Sequence, residues 1–243
     1  MRSLLDEVGV HLSDVFGSDN ILWVEGPTEE RCFPMILRKV SQIPLRGTQI
    51  LAVKNTGDLE GKKSEIIFDI YDRLSGGKAL LPPAIGFVFD NENKSDQNIT
   101  DLKKRSGDKL HFLGRCMYEN YLLVPEAITA IANQYNFRDG TISVLEIEQW
   151  ISEQKQNWIA NKIRKGEKEE NLTDDYWLKK EHAARLLENL FKYFSGGKVI
   201  YRKTTHSVKL TEWIVKNKPE QLQDIANLLQ NVLERSPEVN SPE

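Results

Sequence analysis

The sequence predicts an α/β fold: a Rossmann-like, mainly parallel sheet flanked by helices, with an all-helical subdomain inserted into it. Three observations predict it. Short apolar runs rich in β-branched or aromatic residues recur at Ile21–Val24, Gln49–Val53, Ala84–Phe89, Leu110–Leu113 and Lys198–Tyr201. Stretches of helical spacing, Glu29–Val40 and Ser64–Leu74 in particular, lie between the early runs. From Pro125 to about Phe194 the strand pattern stops and helical periodicity takes over.

Each element follows from its pattern. Near-continuous apolar runs belong to strands covered on both faces, the condition of a parallel sheet. Right-handed crossovers then put every strand's C-terminal end on one edge, where open α/β sheets bind ligands. Within the helical block, Glu126–Gln134, Val144–Arg164 and Asp174–Phe194 read as helices. Their Trp150, Trp158, Trp177, Leu186, Leu187 and Leu190 recur at three- and four-residue steps. The run Lys198–Tyr201 beyond the block makes it an insertion, and a closing helical region, Thr211–Glu234, is broken at Pro219. The expected boundaries are a linker-like segment 1–19, the α/β domain's first part 20–124, and the insertion 125–196. The domain is completed, with C-terminal helices, over 197–235, and 236–243 is a polar, proline-punctuated tail expected to be disordered.

Composition narrows the function classes. The 243 residues are 40% hydrophobic and 28% charged, an ordinary soluble composition. No run of about 18 apolar residues exists to span a membrane. The opening MRSLLDEVGVHLSDVF has no basic stretch followed by an apolar core, so it does not read as a signal peptide. Cys32 and Cys116 stand far apart without CxxC spacing and read as core residues, which fits a reducing cytoplasm. A net charge of -3 excludes a globally basic DNA-coating protein but not an enzyme that grips nucleic acid through local patches.

Four segments carry the chemistry. In Trp23-Val24-Glu25-Gly26-Pro27-Thr28-Glu29-Glu30 an apolar strand ends on a glutamate, followed by a tight Gly-Pro exit. Thr28 is the expected N-cap of the next helix, and Glu29 and Glu30 suit its first turn, either as caps or as ligands. Glu25, half-buried at the mouth of a sheet, needs a cation or hydrogen-bond donors. In Gly86-Phe87-Val88-Phe89-Asp90-Asn91-Glu92-Asn93 a second strand ends on acid, and the two-residue spacing of Asp90 and Glu92 puts both on one side of an extended chain. Glu119, within Arg115-Cys116-Met117-Tyr118-Glu119-Asn120-Tyr121, is a third metal-side candidate or a core hydrogen-bonding group beside Asn120. In Tyr201-Arg202-Lys203-Thr204-Thr205-His206, Lys203 can neutralise a phosphoryl transition state, or it and Arg202 are solvated. Together these acids suit two hard ions about 4 Å apart that activate water and stabilise a leaving oxygen. Mg²⁺ or Mn²⁺ is the expected cofactor, since the scattered His11, His111, His182 and His206 show no metal spacing.

At these residues the sequence resembles the TOPRIM domain of the OLD-family (overcoming lysogenization defect) nucleases. The likeness is to the class in which a strand-end glutamate is followed by Gly-Pro and a second acid four residues on. That motif is VEGPTE here, with Glu25 and Glu29. The family's DxD motif is matched by Asp90-Asn91-Glu92, where a longer carboxylate replaces the second aspartate. An ExNY-like element resembles Tyr118–Tyr121, and the family's late catalytic lysine corresponds to Lys203. The likeness runs from about residue 5 to 217.

The resemblance implies a two-metal enzyme that nicks or cuts DNA with weak sequence demand. Glu25, Asp90 and Lys203 would be catalytic, with Glu25, Glu29, Asp90, Glu92 and Glu119 on the metal side. It also implies an N-terminal ABC-type ATPase that dimerises, so this chain is expected to be the C-terminal nuclease region of such a protein, and phage defence its setting. Gly57–Ser64 has one residue too few between its glycines for a Walker A loop, and Leu74–Lys78 reads as a helix C-cap and turn. DNA phosphates would be held by Lys62, Lys63, Lys103, Lys104, Arg105 and Arg202, whereas Lys162, Arg164, Lys165 and Lys168 read as a solvated helix end. The competing readings are a TOPRIM-type RNA-processing enzyme and a catalytically weak assembly or DNA-binding module.

Overall fold

A computed structural model describes residues 19–45, 47–53, 84–92, 94–106 and 109–234. The expected helix Ser64–Leu74, the glycine-lysine loops near it, Lys62 and Lys63, residues 1–18 of the expected linker and the C-terminal tail lie outside the described residues. The chain forms two compact units. Of the described residues, one takes 19–45, 47–53, 84–89, 94–106, 109–113 and 222–234; the other takes 90–92 and 114–221.

The first unit is built on a four-stranded, all-parallel sheet in the order β2-β1-β3-β4, where β1 is Asn20–Val24, β2 Thr48–Ala52, β3 Ala84–Phe89 and β4 Leu110–Phe112. Ile21, Leu22, Trp23 and Val24 are all fully buried, as expected of a central strand covered on both faces. Helix α1 (Pro27–Ile36) runs into a π turn, Leu37–Ser41, which ends where Gln42 takes a left-handed φ of 56°. Helix α2 (Asp96–Ser106) follows β3 and contacts β4. Its polar sequence, DQNITDLKKRS, carries too few apolar residues to declare a helix beforehand.

The second unit contains helices α3 (Pro125–Gln134), α4 (Val144–Arg164), α5 (Asp174–Lys180), α6 (Ala183–Phe194) and α7 (Val208–Asn217). Helix α4 starts at a capping box: Ser143 Oγ accepts the Glu146 N–H at 3.3 Å, and the Glu146 carboxylate accepts the Ser143 N–H at 2.9 Å. That N–H, with Arg138 beside it, holds the Glu146 carboxyl down at about 2. Only Ile147 and Trp150 of this long helix are buried, both in its first two turns. Helix α6 buries one whole face, Leu186, Leu187, Leu190, Phe191 and Phe194 among it. Phe191 meets Phe137 at 4.8 Å and Tyr201 at 5.0 Å between ring centroids.

Two expectations fail in this region. Asp174–Phe194 is not one helix: it breaks at Glu181, whose backbone is extended. Asn120 Nδ2 donates to the Glu181 carbonyl at 3.0 Å and the Cys116 N–H to that of Leu178 at 3.2 Å, so tertiary bonds take carbonyls that a continuous helix would use. Lys198–Tyr201 is not a strand either. Gly196 and Gly197 adopt φ of 59° and 81°, and Ser195 Oγ folds back to accept the Val199 N–H at 3.0 Å. Tyr201 turns into the core while Ile200 is left 67% exposed, so this apolar run anchors one side chain and, among the described residues, pairs with no strand.

The closing region forms α7, a 3-10 turn at Pro219–Leu222, and α8 (Gln223–Glu234), which belongs to the first unit. Helix α8 buries Ile225, Ala226, Leu229 and Val232 and contacts α1 and β3. It approaches β3 because residue 86 is glycine: a Cβ there would stand 2.6 Å from Val232 Cγ1 and 3.3 Å from the Lys109 carbonyl. Gly86→Ala is therefore expected to destabilise the fold by about 1–3 kcal/mol through overpacking. Val232→Ala in the same chain should recover part of that loss. Denaturant titration of the two single variants and the double would show strict additivity if this close approach does not matter.

Candidate metal centre

Strands β1 and β3 are parallel neighbours with Val24 opposite Val88, so the residues after them leave the sheet at the same edge. One further backbone bond continues each ladder: the Val53 N–H donates to Val24 O at 2.9 Å, and the Leu113 N–H to Phe89 O at 3.0 Å. The last peptide before each acid is thereby held. Ligand oxygens of Asp90 and Glu92 lie within 4.8 Å of each other, and Glu25 follows the strand that pairs with β3. Glu25 is half-buried, Asp90 buried and Glu92 exposed.

Asp90 is aimed by the Tyr118 N–H, which donates to its Oδ1 at 2.9 Å. Glu92 reaches the group by a different route from the strand alternation expected. It sits in a turn with a left-handed φ of 43°, which a side chain adopts at some cost, and its N–H donates to Cys116 O at 2.7 Å.

Glu29 and Glu30 part company on α1. Gly26 is the N-cap and Pro27 takes the first helical position, so Thr28 is not the cap expected: it lies inside the first turn, buried. Pro27 suits that place because its φ is already helical and it has no N–H to orphan. Glu29 is also buried, and its Oε2 leans over Gly26, 3.1 Å from where a Cβ would be. Glu30 Oε2 accepts the Ala52 N–H at 3.2 Å and so binds the end of β2.

Glu119 occupies a short 3-10 turn, Tyr118–Tyr121, and is fully buried. Asn120 clamps that turn, accepting the Met117 N–H at 3.1 Å. Arg115 donates to the Asn120 carbonyl at 2.9 Å and stacks 4.4 Å above the Tyr121 ring. Lys203 Nζ stands 3.1 Å from Glu119 Oε2, an ion pair without hydrogen-bond geometry, and Ser207 Oγ donates to Oε1 at 3.4 Å. The Lys203 side chain remains 46% exposed. Lys203 opens a π turn, Lys203–Ser207, rather than following a strand.

Of the expected nucleic-acid contacts, Lys103 and Lys104 are exposed on α2 and Arg202 is exposed before the π turn. Lys62, Lys63 and the Arg105 side chain lie outside the described residues. Ser207 lies outside every segment singled out in the sequence, and Tyr118, Tyr201 and His206, though within those segments, take their roles here from folded contacts. His206 is buried against the rings of Tyr135, Phe191 and Tyr201, and its Nδ1 accepts the Arg202 N–H at 2.8 Å. That contact assigns the remaining proton to Nε2.

No protein-family model matches the chain, and no curated protein matches it. Among solved structures, the C-terminal region of the Xanthomonas campestris pv. campestris OLD protein is similar at 14% identity and a TM-score of 0.48, over 89% of this chain and 100% of that one. The C-terminal region of the Burkholderia pseudomallei OLD protein is similar at 13% identity and a TM-score of 0.47, over 90% of this chain and 100% of that one.

Burial, and secondarily the charge of Arg202, pushes the His206 pKa below its ordinary 6.5. The folded state then binds fewer protons than the unfolded chain. Stability is complete above about 6.5 and is lost as pH falls toward the folded value. Calorimetric Tm measured from pH 7.5 down to 5.5 should decline, and less steeply in His206→Asn, whose amide oxygen can accept the same N–H. Identical slopes would mean that His206 carries no such linkage.

Proposed function

We propose that this chain is a divalent-metal-dependent phosphodiester hydrolase acting on DNA, the C-terminal nuclease region of an ATPase–nuclease of the OLD kind. The carrying observation is that β1 and β3, parallel neighbours, are each followed directly by an acid, Glu25 and Asp90, with Glu92 close beside Asp90. Carboxylates as close as Asp90 and Glu92 repel each other unless a cation, protons or donors compensate. Their all-oxygen donor set fits Mg²⁺ or Mn²⁺ better than zinc or copper. The DNA substrate, the ATPase partner and a second ion held with Glu29 and Glu119 are supported by the motif resemblance.

Glu25, Asp90 and Glu92 would hold the ion. When bound, such an ion polarises a phosphoryl oxygen and makes water a competent nucleophile near neutral pH. The chain's own residues do the rest. The Tyr118 N–H fixes the Asp90 carboxylate, and the Glu92 turn presents a carboxylate on the exposed side. Lys203 is half-exposed and carries a charge suited to a phosphodiester whose negative charge grows in the transition state. Lys103, Lys104 and Arg202, with Lys62, Lys63 and Arg105, would grip backbone phosphates without reading bases, so binding should weaken as salt rises.

Cleavage of supercoiled plasmid, with Mg²⁺, Mn²⁺, Ca²⁺ or EDTA, tests this directly. Nicked and linear products are expected with Mg²⁺ or Mn²⁺ and not with EDTA. Asp90→Ala should abolish them, and Lys203→Ala should slow their formation by roughly a hundredfold or more. Cleavage that persists in Asp90→Ala would sink the assignment. Independently of turnover, Mn²⁺ at about a hundredfold excess over its Kd should add about 2.7 kcal/mol, or roughly 5–10 °C in Tm. That gain should vanish in Asp90→Asn; an equal gain in the variant would place the ion elsewhere.

A further inference from the structure

The Glu119–Lys203 pair is held from behind by a chain of hydroxyls. Lys203 and Ser207 begin and end the π turn, and four residues apart they share one face of it. Ser207 is fully buried, and its Oγ reaches Glu119 Oε1 in a long hydrogen bond of 3.4 Å. An ionised carboxylate only accepts, so the Ser207 hydroxyl is the donor. With its single proton committed, Ser207 Oγ accepts from the Tyr201 hydroxyl at 2.6 Å. Donation therefore runs from Tyr201 through Ser207 to one oxygen of Glu119, while the other faces Lys203 at 3.1 Å.

The backbone of Ser207 is held in the same directed way. Thr211 Oγ1 donates to the Ser207 carbonyl at 2.7 Å, which leaves it to accept from the Tyr118 hydroxyl at 2.7 Å. At the other end of the turn, the Arg202 N–H donates to His206 Nδ1. A fully buried carboxylate is tolerated only where donors and a counter-charge compensate it, and here the arrangement selects one carboxylate orientation.

We propose that Ser207, oriented by Tyr201, is the positioning residue for the Glu119–Lys203 pair. It fixes the rotation of the Glu119 carboxylate and thereby where the Lys203 ammonium sits. The consequence for catalysis rests on the nuclease reading; the placement of Lys203 does not.

Two measurements separate these. Brief acetylation at fixed pH, read by mass spectrometry, compares Lys203 with the exposed Lys192 and Lys198 in the full chain. In Ser207→Ala, Lys203 labelling should rise about threefold or more while the two references stay constant, the loss of one hydrogen bond to a charged group being enough for that. Tyr201→Phe should shift it the same way but less, the double variant should not exceed Ser207→Ala, and Ser207→Cys, which keeps a weak donor, should recover part of the effect. In plasmid nicking, Ser207→Ala should lower kcat about tenfold with KM unchanged.

Constant Lys203 labelling in both Ser207→Ala and Tyr201→Phe overturns the proposal, whatever the nuclease assay shows. Tyr201→Phe removes one oxygen only, so it remains decisive if Ser207→Ala fails to fold. Raised labelling in a chain whose wild type never cuts DNA would leave the positioning role standing and remove the nuclease reading. Raised labelling with cleavage and an unmoved kcat would overturn the link to catalysis.

Discussion

The parallel ladder between β1 and β3 is the constraint on which the acidic edge depends. Parallel neighbours end on the same side, and the Val24–Val88 register puts their ends within one residue of each other. Because both strands are buried runs, the first side chains free to leave the sheet are those that follow, and here they are Glu25 and Asp90. An antiparallel partner would have carried one acid to the opposite edge. The same strand, β3, is let in close beneath α8 only because Gly86 has no side chain. A position in the middle of the sheet therefore bears on how firmly the edge is held.

Within the second unit, Tyr118 ties the chemistry to the packing. Its backbone N–H orients Asp90, its hydroxyl starts the relay to the Ser207 backbone through Thr211, and its ring is fully buried. The next residue along, Glu119, meets Lys203. A small rotation of the Tyr118–Tyr121 turn would disturb a proposed metal ligand and the lysine's counter-charge together. Asn120 opposes that rotation by capping the turn with its oxygen and reaching the Glu181 carbonyl with its nitrogen. That bond also explains why a sequence with unbroken helical spacing over Asp174–Phe194 yields two helices.

Much of the fold was legible because burial on two faces leaves a simple mark. The first four strands stand where their apolar runs do, to within a residue at each end. Legibility failed where composition and context disagree. Lys198–Tyr201 has a strand's residues, but two glycines of positive φ and a turn closed by Ser195 keep it out of the sheet formed by the described residues. Asp96–Ser106 has a helix's backbone and almost none of a helix's apolar face. Thr28 has the chemistry of a cap, yet Pro27 starts the helix a residue too early for it to serve as one.

The acids of the candidate centre were readable because Glu25 and Asp90 each follow an apolar run directly and Glu92 stands two residues beyond Asp90, a recurrence more specific than any one of them. Ser207 and Tyr201 are ordinary in sequence, and they acquire a role only when the chain brings position 119 against position 207. The sequence alone thus determined the parallel strands and which charged groups stand at their ends, since hydrophobic periodicity is a local property of the chain. Tertiary structure alone decided which of those charges meet, which one Lys203 faces, and which hydroxyls orient them, since hydrogen bonds over a range this short depend on distances between segments remote in sequence.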